Sequence, residues 1–102
     1  MTIGEGLTVN MKTGEDGRAR YAQVSFTIVF NNQSKDYSTI SASLDNQKLM
    51  LNDYVIDTIS QYTADEYILN KASINQAVLS YCRTYFESTD AIIDVIISVT
   101  IG

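Results

Sequence analysis

From Tyr21 to Phe30 the chain alternates with period two. Ala22, Val24, Phe26, Ile28 and Phe30 fall on one face, and Tyr21, Gln23, Ser25, Thr27 and Val29 on the other. A helix cannot sort residues this way, because its faces recur at about 3.6 positions. The run is a strand with one face on a core and the other wetter. A second β-run, Ile92–Ile101, closes the sequence. It places Ile93, Val95, Ile97, Val99 and Ile101 on one face, and Ile92, Asp94, Ile96, Ser98 and Thr100 on the other. Its β-branched content favours strand. The two runs, Arg18–Phe30 and Ile92–Ile101, bracket a middle that reads as helix, so the ends must meet across it. The last strand is expected beside the long one, antiparallel to it.

The start of the chain adds a third strand. Leu7, Val9 and Met11 alternate with Thr8, Asn10 and Lys12, as in a short half-buried strand. Thr13–Gly17 follows, with Asp16-Gly17 as a turn signal, so the first two strands read as a hairpin. Asn31–Ser43 is polar and reads as a loop. Asn32-Gln33-Ser34 within it matches a glycosylation triplet, but the pattern is short and common, and a polar loop explains it.

The first helix is expected from Asn46 to about Tyr62. Asp45 suits its N-cap, and Leu44 with Leu49 suits a hydrophobic staple. Leu51, Val55, Ile59 and Tyr62 follow at spacings of a turn and form one apolar stripe. Thr63 and Glu66 then form a capping box, T-x-x-E, with Tyr62 and Tyr67 as its staple. The helix is expected to break there and a short piece, Ala64–Leu69, to begin. Ser73 and Gln76 read as a second box opening a further helix. On that helix Ile74, Ala77, Val78, Tyr81, Cys82 and Tyr85 share a stripe. Glu87–Ala91 reads as a turn.

Composition narrows the function. The chain has 102 residues, room for one domain over 1–102 and not for a second core. Its apolar fraction, 45%, is that of a globular protein. Seven Lys and Arg against twelve acids give a net charge of −5. That leaves no basic stripe for nucleic acid and disfavours docking on anionic lipid. Cys82 is the single cysteine, so no intrachain disulfide forms. The longest apolar run, Ile92–Ile101, is about half of the roughly 20 residues a spanning helix needs. No signal peptide is visible in Met1–Leu7.

Few residues invite chemistry. There is no His, and no cluster suits a metal or a cofactor. Cys82 lies on the apolar stripe, with no imidazole to activate it, and reads as a small buried residue. Asp53 and Asp57 are one turn apart on a helix face. Such a pair can do acid–base work or bind a cation, yet with no third acid nearby it reads as a solvated face. Among seven tyrosines, Tyr54, Tyr62, Tyr81 and Tyr85 sit on or beside helix stripes and read as core packing. Tyr37 and Tyr67, in loop and short helix, are the candidates for partner contact. With Asp53 and Asp57 they make the expected interaction surface, and edge strand Leu7–Lys12 is a further one. No catalytic residue is assigned.

Gly17–Gly102 resembles the C-terminal domain of the flagellar basal-body protein family FliL. Gly17-Arg18-Ala19-Arg20-Tyr21-Ala22-Gln23-Val24 resembles the family's G-x-x-R-Y-x-x-V strand. The stretch from Asn52 to Glu66, which contains Ile59-Ser60 and Thr63, resembles its R-D-x-I-I-x-x-I-S-x-x-T-x-x-E helix. Asn52 stands where the family often has Arg. Ile74–Phe86 matches the third element, and Asp94-Val95 sits at the D-V that opens the last strand.

The resemblance implies a stomatin-like fold without enzymatic activity. It also implies an extracytoplasmic domain of a single-pass protein of the bacterial cytoplasmic membrane, with the anchor helix preceding Met1. The implied partners are the stator units of the flagellar motor and further copies of the chain in rings. The expected fold is α+β: two layers, about three antiparallel strands under two main helices, in the order β-β-α-α-β. Against this accessory role stands a generic envelope or phage-derived binding module of the same architecture. An enzyme would require convergent acids in a pocket.

Overall fold

Three strands form one open antiparallel sheet: β1 (Thr2–Met11), β2 (Arg20–Phe30) and β3 (Ile92–Ile101), with β2 in the centre. The computed structural model describes residues 1–88 and 90–102. Two helices, α1 (Tyr37–Ser60) and α2 (Ala64–Tyr85), cover one face. α1 lies over β1 and α2 over β3. The result is the expected α+β architecture in the order β-β-α-α-β.

The sheet follows its alternation. Ala22, Val24, Phe26 and Ile28 of β2 are buried, and Tyr21 and Gln23 are exposed. Val24, Phe26 and Ile28 are fully covered. Each such side chain stabilises the fold by about 1.5–3 kcal/mol relative to exposure. β2 pairs with β3 from Ala22↔Ile101 to Phe30↔Ile92, antiparallel. β1 is longer than its alternation suggested, because it continues back to Thr2 through two register shifts at Gly4 and Leu7.

One inversion occurs in β3. Ile92 is fully buried and Ile93 is 54% exposed, the reverse of strict alternation. The register steps from Val29↔Asp94 to Phe30↔Ile92. Ile93 is therefore the extra residue of a bulge, and the bulge turns Ile92 inward.

The helix starts also differ from expectation. α1 begins at Tyr37, inside the segment Asn31–Ser43 that reads as loop. Ser and Thr are mediocre helix formers, but Ile40 and Leu44 extend the stripe of Leu51, Val55 and Ile59 and are buried with it. Packing outweighs propensity there. Ser41 and Ser43 donate to the carbonyls of Ser38 and Ile40. The N-cap is Asp36, not Asp45, and its side chain makes no cap bond. Asp36 Oδ2 instead accepts from the Ser88 hydroxyl at 2.9 Å, tying the helix start to the end of the helical layer. Asp45 lies on the exposed side, paired with Lys48 at 3.1 Å. Leu49 is not a staple: it is 73% exposed.

The Thr63 capping box is present in both directions. Thr63 Oγ1 accepts from Glu66 N–H at 3.1 Å, and Glu66 Oε1 accepts from Thr63 N–H at 2.9 Å. The short piece and the following helix are joined into one element, kinked at Asn70 (φ −117°, ψ 16°). Ser73 and Gln76 are exposed residues within that helix rather than a second cap. Ile74, Val78 and Cys82 are buried as expected, but Ala77 is exposed and Leu79 is buried in its place. The turn read at Glu87–Ala91 includes Thr89, which lies outside the described residues. The helices meet through tyrosines. Tyr54 stacks on Tyr81 with ring centroids 3.7 Å apart, and Tyr85 donates its hydroxyl to Gln47. That seam accounts for three of the tyrosines as packing residues.

Candidate interaction surface

The stripe of α1 that faces the sheet fixes what its opposite side presents. With Leu51, Val55 and Ile59 inward, Asp53 and Asp57 are exposed on the outer face. Asp45, Leu49 and Asp53 form a line of one-turn steps along it. Met50, 54% exposed, sits next to Leu49. The face is therefore acidic, with an apolar pair in its middle. Negative potential steers a basic partner toward such a patch, and the apolar side chains supply contact area once it docks.

Of the four expected contact residues, only Asp53 and Asp57 share this surface. Tyr37 is in the first turn of α1 and half-buried, its ring edge-on to Phe30 at 5.7 Å. Tyr67 is 5% exposed and belongs to the core, so it is not an outer contact residue. Burial pushes its hydroxyl above the usual tyrosine range. Tyr67 is buried because α2 packs over β3, a contact between segments far apart in the chain. Leu49, expected inward as a staple, belongs to this outer face instead. It lies five positions after Leu44, about 140° around a helix, so the two cannot share an inward stripe.

The reactive side chains are accounted for by structure. Cys82 is fully buried, and desolvation pushes its thiol up to about 12. The thiol stays protonated and is a poor nucleophile. Glu66 is held below the usual carboxylate range by Thr63 N–H. Asp16 is lowered too, first by Arg18 N–H and also by the Arg20 guanidinium, 2.9 Å away. Both acids border a cleft of about 700 Å³ between the β1–β2 hairpin and the start of α2. Its charges are of both signs, and Asp16, Arg20 and Glu66 among them are engaged in the hairpin and the cap. Among the described residues no three His, Cys, Asp or Glu side chains are placed to hold a metal ion.

The sheet's outer face, away from the helices, is mostly polar. Gln23 reaches across it to the Thr8 hydroxyl at 3.1 Å. Tyr21 and Ile96 stand out from it, 57% and 51% exposed.

The family model described as flagellar basal body-associated protein FliL matches residues 1–100 of the chain. No curated protein matches it.

Proposed function

We propose a function from one premise: the chain belongs to the FliL family of flagellar basal body-associated proteins. The family is a non-catalytic accessory family of the flagellum. On this reading the chain is an accessory domain of the motor that holds stator units by surface contact. It assembles with further copies of itself into rings and sits on the extracytoplasmic side of the cytoplasmic membrane, behind a single anchor helix. No helix among the described residues is long and apolar enough to cross a membrane.

The observation that carries this reading is the extent of the match, which spans both helices and nearly all of the sheet. The chemistry of the side chains supports it. The single thiol is buried and protonated, and the acids with lowered pKa hold a turn and a cap. The acidic face around Asp53 and Asp57, with Leu49 and Met50, is the surface of α1 through which such a domain would steer and grip a basic partner.

The test is recovery of stator subunits with the tagged full-length protein from its native, flagellated cell. Stator subunits are expected in the wild-type eluate. Asp53→Lys is expected to lower their recovery while the protein melts at an unchanged temperature. Equal recovery with the variant removes the α1 face from the reading. An eluate from wild type without stator subunits overturns the stator role.

A further inference from the structure

β2 occupies one side of β3 and, among the described residues, no strand occupies the other. In an antiparallel ladder, residues that turn both main-chain groups to the partner strand alternate with residues that turn them away. Gly102 N–H donates to the Tyr21 carbonyl at 3.0 Å, which sets the phase. Thr100, Ser98, Ile96 and Asp94 thus face β2, and Ile101, Val99, Ile97 and Val95 face outward. The start of this edge is closed from within. Arg83 Nη2 donates to the carbonyls of Ile92 and Ile93 at 3.0 and 3.3 Å. Asp94 Oδ1 accepts from Val95 N–H at 2.8 Å. From Ile97 to Ile101 no such closure exists among the described residues, and the segment has no Pro, no Lys and no bulge. Those are the usual devices that keep an edge from pairing.

A groove of about 370 Å³ lies beside this open stretch, lined by Tyr67, Lys71, Ala72, Ile74 and Asn75 of α2 and by Ile97 of β3. Lys71 and Arg83 are the two basic residues of α2. One lines the groove and the other bonds the edge, so both mark the same flank of the helix. Asp94, the one charged residue of β3, lies outside the open stretch and away from the groove, where Lys71 is the charged lining residue. In a chain of net charge −5, this flank is locally basic.

We propose that the Ile97–Ile101 edge and the adjoining groove take an extended, acidic segment of a partner protein as a fourth strand. One apolar side chain of that segment seats against Tyr67, Ile74 and Ile97. The inference rests on the reading of the chain as a partner-binding accessory domain, and names the surface. A row of alternate outward main-chain groups matches the spacing of another extended backbone, and alternate side chains of the guest then face the groove. The basic flank selects acids at its rim. A second copy fits poorly. It would bring its own α2 over its own β3, one strand spacing of about 4.8 Å away, where packed helices need about 8–10 Å. An isolated segment carries no helix.

The test uses the purified chain and a capped ten-residue peptide of alternating Val and Glu, with amide hydrogen exchange read by NMR. The amides of Ile97, Val99 and Ile101 are expected to gain protection. Val99→Pro removes one outward N–H and no ladder bond, and is expected to abolish the protection. Lys71→Glu, on an exposed residue, is expected to weaken binding roughly threefold. A peptide N-methylated on alternate residues, which needs no variant to fold, is expected not to bind. Absence of binding, or binding without protection of these amides, overturns the proposal. So does protection that rises with the chain's own concentration and needs no peptide, since a second copy would then occupy the edge. If the peptide fails while stator subunits are still recovered, the edge falls and the accessory role stands. If the peptide binds but stator subunits are not recovered, the reverse holds.

Discussion

β1 and β3 flank the same central strand and finish their outer edges in different ways. β1 breaks register twice, between Thr2 and Gly4 and between Gly4 and Leu7. Gly6 adopts φ +60°, a conformation that side-chain-bearing residues rarely take. Asn52 of α1 reaches down and donates to the Ile3 carbonyl at 3.1 Å. It stands so close that a Cβ on Gly4 would lie 2.5 Å from its Oδ1. β3 breaks register once, at Ile93, and then pairs regularly from Asp94 to Ile101. One edge is closed by glycines, bulges and a helix side chain. The other is closed only at its start, by Arg83 and Asp94. A sheet of three strands always has two edges; here β1 is closed over its first half, from Thr2 to Leu7, and β3 at its start.

The largest effect comes from the strand both edges share. Val24→Asp places an unpaired charge in a fully covered site, at a cost of several kcal/mol, comparable with the whole stability of a small domain. A urea titration followed by circular dichroism should show no cooperative transition. A folded variant would mean that the edges do not depend on β2.

Next is a direct contrast between the edges. Gly4→Val should destabilise by about 1–3 kcal/mol, because the added atoms meet Asn52. Ser98→Val, on the exposed face of β3, should change stability by no more than about 0.5 kcal/mol. Chemical denaturation of the two variants measures the difference, and equal costs would erase the contrast between the edges.

A smaller effect is expected at the helix that overhangs β3. Thr63→Ala removes the N-cap of α2 and should cost about 1 kcal/mol. If thermal melts show no loss, the cap does not hold α2 over its strand.

The smallest effect is on pH dependence. Glu66 and Asp16 both have folded pKa values below their usual 4.5 and 3.8. A depressed carboxyl stabilises the fold above its unfolded pKa, and the contribution disappears as pH falls through the folded value. Glu66 therefore contributes fully at neutral pH and begins to lose its contribution below about 4.5. Glu66→Gln should flatten part of the fall in melting temperature between pH 5 and pH 3. An unchanged profile would remove the carboxylate from the cap's energetics.

The comparison also explains which features were legible in the residues. β2 was readable because its alternation is unbroken, and the Thr63–Glu66 box because it is a local exchange of two bonds. Asp53 and Asp57 were placed correctly by the phase of Leu51, Val55 and Ile59. Elsewhere distant parts of the chain decided. The first turns of α1 are Ser- and Thr-rich, and only the core reached by Ile40 and Leu44 makes them helical. Ile92 and Ile93 exchange faces because of a bulge against Phe30, which the alternation of β3 alone does not contain. Tyr67 looks like a contact residue until α2 is laid over β3.

By itself the sequence determined the kind and order of the main elements, the inward face of β2, the cap of α2 and the inward phase of Cys82. These depend on periodicity or on residues within a few positions of one another. Only the tertiary structure decided how each edge of the sheet is finished, through the register shifts of β1 and the bulge of β3. It also decided that Asn52 covers Gly4, and that Lys71 and Arg83 flank an open strand. Such features arise between segments far apart in the chain, where the gain from packing outweighs local preference.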